Sequence, residues 1–227
     1  MNKKSVALFD FDKTIYKDFS IFTSTKYLVE HGFLEGGVEV EMMEEYGKYK
    51  LGIRDYKQTA EEMIKIQAKF MTGLDFSTMR DKMIDFFAEN EDRYFSYFER
   101  ILPNLRETHD VYLVTASSQL VAEAIEKRFN LDGYLSTIYE VKNERLTGEI
   151  EKSLVGEKGK EIKEILAKYT GRNMAFGDSD SDIEMLLSVE VPVCVEPTDN
   201  LKELAQEKSW LVVTEENAYE EIMKVLG

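Results

Sequence analysis

Three times along the chain, a short apolar run breaks off abruptly into acidic or hydroxyl residues. Ser5–Phe9 runs into Asp10-Phe11-Asp12-Lys13-Thr14, and Val111–Val114 runs into Thr115-Ala116-Ser117. Asn173–Phe176 runs into Gly177-Asp178-Ser179-Asp180-Ser181-Asp182. Short apolar runs of this kind read as strands buried on both faces. Val191–Val195 and Trp210–Val213 read as two more. Helices are expected between them, over Ser118–Phe129, Gly159–Tyr169, Asp182–Ser188 and Leu201–Glu207. Strands alternating with helices predict an α/β fold, a parallel sheet with both faces covered.

The segment from Tyr16 to Arg100 departs from this alternation. Met63, Ile66 and Phe70 fall at helical spacing, as do Met79, Met83, Phe86 and Phe87. A helical insertion after the first strand is expected, with Pro103 marking the return to the sheet. The methionines of this insertion (Met42, Met43, Met63, Met71, Met79 and Met83) read first as core, and second as the lining of an adaptable apolar pocket. Further on, Ile138, Glu140, Leu146 and Gly148 around Lys142-Asn143-Glu144 predict a β-hairpin.

Composition narrows the function classes. The net charge of −15 repels phosphate backbones and anionic lipid, which argues against nucleic-acid or membrane-surface binding. The single cysteine, Cys194, forms no intrachain disulfide and no cysteine-based zinc site, and two histidines, His31 and His109, make no histidine-rich one. The longest charge-free run, Val111–Ala122, contains Thr, Ser and Gln and is too short to span a bilayer. The apolar stretch between Met1 and Asp10 is too short for a signal-peptide core, so the expected compartment is the cytoplasm.

In open parallel sheets, ligands bind beyond the carboxyl ends of the strands. If the three acidic strand ends are neighbours, several carboxylates converge there. Like charges at close range disfavour ionisation unless something positive joins them. Without Cys or His the ligands are oxygens, so a hard cation is expected, Mg²⁺ before Ca²⁺. Asp10 and Asp12, two apart, would share one face of an extended strand. An aspartate nucleophile suits phosphorus. Phosphoryl transfer also needs a metal, a lysine and hydrogen-bond donors, for which Lys158 and Thr115 are candidates.

These pieces resemble the haloacid dehalogenase superfamily. "DFDKT" at Asp10–Thr14, "YLVTASS" at Tyr112–Ser118, "GEKGKEI" at Gly156–Ile162 and "GDSDSD" at Gly177–Asp182 occur in that family's order. With "EVKNERLTGEI" and the tail "VEPTDNLKELAQEKSWLVV", the chain resembles the phosphoserine-phosphatase-like branch. The resemblance implies a Rossmann-like, HAD-like core in residues 1–16 and 101–227, with residues 17–100 as a helical cap. It implies a Mg²⁺-dependent phosphomonoester hydrolase that works on a small phosphorylated metabolite through an aspartyl phosphate. Asp10 would be nucleophile and metal ligand. Asp12 would be general acid and then base, its backbone carbonyl also on the metal. Thr115 and the Ala116 N–H would bind phosphate, and Lys158 would neutralise it. Asp178 would bind Mg²⁺, with Asp182 supporting that shell. Opening and closing is expected about linkers near Tyr16–Lys17 and Arg100–Pro103.

Two positions depart from the branch. Ala116-Ser117 stands where it shows two glycines, and Phe19, beside Asp18, stands where it places a glutamate that holds the substrate amine. A phosphoserine-like substrate is therefore the weaker part of the reading. The same core would also serve a phosphotransferase or phosphomutase, and a different class, a phosphorylation-switched receiver-like module, shares the acid, hydroxyl and lysine set. Lys160 rivals Lys158 by position. Arg54 reads as an exposed helix arginine before a carboxylate binder, Asp180 as a bystander, and His31 and His109 as surface or cap residues. Oligomeric state is not legible.

Overall fold

β1 (Ser5–Phe9) is buried along its whole length. Val6 and Leu8 enter one apolar layer, and Ala7 and Phe9 enter the other. Such a strand belongs at the centre of a sheet covered on both faces. The computed structural model describes residues 5–226 and places β1 there. The reading made of Met1–Lys4 lies outside the described residues. The other strands are β2 (His109–Ser118), β3 (Gly133–Lys142), β4 (Arg145–Lys152), β5 (Met174–Gly177), β6 (Val191–Val195) and β7 (Leu211–Val213). The sheet has seven strands in the order β4-β3-β2-β1-β5-β6-β7. Only the β3–β4 pair is antiparallel.

Strand order reverses beside β1. The chain builds outward through β2 and β3, then returns to lay β5, β6 and β7 on the other side. The carboxyl ends of β1, β2 and β5 are therefore neighbours, which is where an open α/β sheet has a crevice.

Between β1 and β2 stand α1 (Ser20–Glu30), α2 (Gly37–Lys50), α3 (Tyr56–Phe70), α4 (Phe76–Glu89) and α5 (Ser96–Leu105). A capping box starts α3: the Gln58 N–H donates to Asp55 at 2.8 Å, and the Asp55 N–H donates to Gln58 at 3.1 Å. Asp75 caps α4 by accepting from the Thr78 N–H at 2.8 Å. The chain enters and leaves this region at adjacent points, with Lys17 N–H donating to Arg93 O at 2.8 Å and Phe95 N–H to Ile15 O at 2.9 Å. The expected return at Arg100–Pro103 lies instead inside α5. That helix packs on the sheet, with Phe98 edge-on to Phe9 at 5.0 Å between centroids. Pro103, in the last turn of α5, has no N–H to give the Glu99 carbonyl, and the helix ends two residues later.

Beyond β2, α6 (Gln119–Phe129) joins α5 on one face of the sheet. The expected hairpin is β3–β4, and its turn residues Asn143 and Glu144 have φ of 50° and 65°, the signs of a type I′ turn. The outer edge of β4 is covered. Phe76 N–H donates to Glu144 O, Leu146 N–H to Leu74 O and Gly73 N–H to Leu146 O, at 2.9, 2.9 and 2.8 Å. The α3–α4 connection is thereby tied to the sheet.

The helix expected over Gly159–Tyr169 is two single turns, α7 (Lys158–Glu161) and α8 (Lys163–Leu166). Ile162 between them is fully buried with ψ of −15°, so the chain tightens where it packs. The helix expected over Asp182–Ser188 is a 3₁₀ turn at Asp180–Asp182 followed by α9 (Ile183–Leu186). α10 (Asp199–Lys208) and α11 (Ala218–Leu226) complete the fold. Among the described residues no helix is long and apolar enough to cross a membrane.

Candidate active site

Asp10 leaves β1 with its N–H donating to Phe176 O of β5 at 3.0 Å, which fixes its backbone at the crevice. Its carboxylate meets Lys158, the first residue of α7. Lys158 Nζ donates to Asp10 Oδ1 at 2.5 Å and to Asp182 Oδ1 at 2.7 Å. Asp182 is fully buried, and its other oxygen accepts from the backbone N–H groups of Asp178 at 3.1 Å and Ser179 at 3.2 Å. Gly177 permits this closeness, since a Cβ there would stand 2.5 Å from the Cβ of Asp182. Lys160 is exposed and turned away from this cluster towards Glu157, so Lys158 is the lysine of the crevice.

Carboxylate oxygens of Asp10, Asp178 and Asp182 lie within 4.8 Å of one another. Against Lys158 they leave two negative charges in excess. Burial pushes Asp10 up to about 7, with Lys158 pulling the other way. Asp178 is raised well above the usual carboxylate range by burial, then by the charges of Asp182 and Asp10. Among the described residues the Asp178 side chain accepts no hydrogen bond. A buried carboxylate left orphaned beside two others is a site that fits a hard divalent cation.

Asp12 stands with Asp10 in the wall of one cavity, but other groups hold its carboxylate. The chain turns sharply after Phe11, whose carbonyl accepts from the N–H groups of Thr14, Ile15 and Tyr16, and Lys13 has φ of 64°. The turn brings the start of α1 back to the Asp12 carboxylate. That carboxylate accepts from Ser20 N–H at 2.9 Å and Ser20 Oγ at 3.1 Å, and Ser117 Oγ lies 3.4 Å away. Phe19 cannot cap α1 with its side chain, so Asp12 takes that role from a distance. Burial raises Asp12 to about 6 despite these bonds.

Thr115 is buried in β2, and its Oγ1 accepts from Ser117 N–H at 3.1 Å, which leaves the hydroxyl proton to donate elsewhere. It lines a cavity of about 390 Å³ with Asp10, Asp12, Ala116, Lys158 and Asp178. The proposed residues are thus brought to one place, with Asp182 behind them. Sequence reasoning did not single out Ser20 or Tyr56, and marked Ser117 only at a strand end and as a departure from two glycines; all three belong to this region. A serine opening a helix was a visible signal for Ser20; nothing in the pattern marked Tyr56.

Other residues fall outside. Arg54 lies in the α2–α3 connection rather than a helix, paired with the buried Glu45 at 2.6 Å. Asp18 pairs with Arg93 at 2.6 Å. Asp180 accepts from Asn200 Nδ2 at 3.0 Å on the exposed rim. His31 Nδ1 lies 2.8 Å from Tyr27 O at the end of α1, as a cap residue would. His109, expected as a surface or cap residue, is buried where β2 begins opposite Ser5, with Nε2 3.0 Å from Arg172 O.

Residues 7–187 match the description of the haloacid dehalogenase-like hydrolases. The chain belongs to that family. The match covers the three strand ends and the lysine described above. A putative hydrolase of Mycobacterium leprae is 33% identical over 105 residues, 44% of this chain and 35% of the relative's length. The phosphoserine phosphatase of Methanocaldococcus jannaschii is 26% identical over 232 residues, 99% of this chain and 98% of that one. Among solved structures, a protein of unknown function from Bordetella pertussis superposes with a TM-score of 0.77 at 22% identity, covering 93% of this chain and 98% of that one. These likenesses agree with a HAD-like sheet flanked by helices.

Proposed function

We propose that this HAD-family chain is a Mg²⁺-dependent phosphomonoesterase that acts on a small phosphorylated metabolite through an aspartyl phosphate. The observation that carries the reading is Lys158 bridging Asp10 and Asp182, with Asp178 unpartnered among the described residues beside them. Asp10 and Asp178 would hold the metal, and Asp182, occupied by Lys158 and two N–H groups, would orient them. When bound, Mg²⁺ neutralises the phosphoryl oxygens and the excess carboxylate charge.

Lys158 engages Oδ1 of Asp10, so Oδ2 is the oxygen placed to attack phosphorus. Lys158 and the Thr115 hydroxyl supply positive charge and a donor to the phosphoryl oxygens. The bond from Asp10 to phosphorus forms as the ester P–O bond breaks, and Asp12 gives its proton to the departing alcohol oxygen. Asp12 then takes a proton from water, whose oxygen attacks phosphorus and frees Asp10. A raised Asp12 suits the first step, and its hydrogen bonds to Ser20 hold it for the second. The inserted helices act as a cap that excludes bulk water.

The test is phosphate release from p-nitrophenyl phosphate with Mg²⁺ and with EDTA, in the wild type and in Asp10→Asn. Turnover that needs metal and vanishes in a folded Asp10→Asn protein is expected. Substantial turnover in that variant, or none in the wild type, overturns the reading.

A further inference from the structure

We propose that the alcohol half of the substrate is a flat apolar ring system rather than an amino acid, an inference that rests on the phosphatase reading. The crevice has two chambers. The acidic one is described above; the second, about 270 Å³, lies under the inserted helices. Asp12 lines both, at the boundary. A phosphoryl group seated among Asp10, Lys158 and Thr115 therefore puts its ester oxygen at Asp12 and its alcohol in the second chamber.

That chamber is aromatic. Phe19, Phe22, Tyr46, Tyr49 and Tyr56 line it, with Met63 beside them. Phe22 stands edge-on to Tyr46 at 5.7 Å, and Tyr49 edge-on to Tyr56 at 6.3 Å, an array of faces and edges that suits another ring. The methionines mostly lie elsewhere: Met71, Met79 and Met83 are buried in the core, and only Met63 reaches this wall.

Two of its buried polar side chains are already engaged. Gln67 donates from Nε2 to Thr25 Oγ1 at 2.8 Å and accepts from the Tyr139 hydroxyl at 2.7 Å. The Thr59 hydroxyl donates to Asp55 O at 2.8 Å. Arg54 and Arg93, which could hold a carboxylate, face Glu45 and Asp18 instead. Lys50, the one cation lining the chamber among the described residues, is exposed at its rim with Nζ 5.3 Å over the Tyr46 ring. Phe19 stands where an amine-holding carboxylate was sought. An amino-acid zwitterion here would lose water and find no charged partner but Asp12 and the rim Lys50 among the described residues. An apolar ring loses nothing comparable.

The experiment compares 2-phenylethyl phosphate, ethyl phosphate and O-phospho-L-serine, all alkyl esters, so that leaving-group acidity does not set the order. With Mg²⁺, kcat/KM for 2-phenylethyl phosphate should exceed that for ethyl phosphate by about 100-fold, and phosphoserine should not exceed ethyl phosphate. Ala60→Phe on α3 and Val121→Phe on α6 each put a ring into the chamber. Each should cut the phenylethyl-to-ethyl ratio at least roughly tenfold. Free 2-phenylethanol should raise the melting temperature of the wild type and not of either filled variant. Phosphoserine turned over as well as the phenylethyl ester, or a ratio unmoved by both fillings, overturns the proposal. A protein inert to every ester that still binds 2-phenylethanol overturns the phosphatase reading and leaves the ring-binding chamber standing.

Discussion

Lys158→Met removes the one ammonium from a cluster of buried carboxylates and leaves its volume nearly filled. In the folded protein, Lys158 is 5% exposed and touches Asp10 at 2.5 Å and Asp182 at 2.7 Å, side chains that are 8% and 0% exposed. Burial works against its charge, but the two carboxylates outweigh that and raise its pKa. Deleting one partner of a buried pair costs about 3–5 kcal/mol, because the charge left behind has no water to return to. At this chain length that is a fall in Tm of roughly 6–20 °C. The sign of the pH effect follows from Asp10, raised to about 7 in the fold from 3.8. A raised carboxyl holds its proton more tightly folded than unfolded, so stability drains away as pH climbs from the unfolded value towards the folded one. Without Lys158 the Asp10 carboxyl rises further, and the drain continues past pH 7. Urea unfolding in EDTA should therefore show the largest deficit against wild type near pH 8 and a smaller one at pH 5, where Asp10 is protonated in both proteins. A deficit below about 1 kcal/mol at pH 8, or one identical at both pH values, would refute the pairing argument.

Gly177→Ala would set a Cβ 2.5 Å from the Cβ and 2.6 Å from the Cγ of Asp182. Asp182 must then shift off Lys158, and phosphatase turnover should fall at least about tenfold while far-UV circular dichroism stays unchanged. Burial pushes Cys194 up to about 12 from 9.0. Its reaction with a disulfide reagent at pH 8 should be roughly a thousandfold slower in the native protein than in urea; comparable rates would contradict its place in β6. In hydrogen exchange, the amides of Gly73, Phe76 and Leu146, bonded between the hairpin and the α3–α4 connection, should be protected, whereas the Arg54 amide, which donates to nothing among the described residues, should exchange readily.

The parallel sheet was legible because burial on both faces forces continuous apolar runs, as in Ser5–Phe9 and Val191–Val195, and nothing else in a chain this size uses them. The acidic crevice was legible for a related reason: polar residues must start where such runs stop, and three runs stop in carboxylates or hydroxyls. What could not be read was direction. Asp10 and Asp12 reach one cavity, but the turn at Lys13, with its positive φ, folds the following chain back so that Ser20 meets Asp12. Ser20 and Ser117, which receive Asp12, are distant from it in sequence, so no local pattern could pair them. The boundary of the insertion was misplaced for the opposite reason. Pro103 is a strong local signal, but tertiary contacts of Phe98 with Phe9 decide which layer the helix joins.

Those tertiary contacts also bear on how the second chamber opens. A rigid swing of α1–α4 about the crossing at Lys17 and Phe95 would have to part the α3–α4 connection from β4. That breaks three backbone hydrogen bonds and the bond from Arg145 to Gly73 O at 2.6 Å. It would also separate Tyr139 from Gln67 and Arg128 from the carbonyls of Phe87 and Ala88. At about 1 kcal/mol net for each bond, before any apolar surface is re-exposed, the whole swing costs several kcal/mol. The connection between α2 and α3 carries none of those bonds to the sheet; it is held within the insertion, by Arg54 to Glu45 at 2.6 Å and by the Asp55–Gln58 capping box. Leu51 is 77% and Ile53 67% exposed, and the flanking residues Tyr49 and Tyr56 form the chamber's mouth. Admission of substrate by movement of the end of α2 and the start of α3 needs none of the anchoring bonds to break. The aromatic residues that would grip the alcohol are then the same ones that move to let it in, which couples recognition to closure.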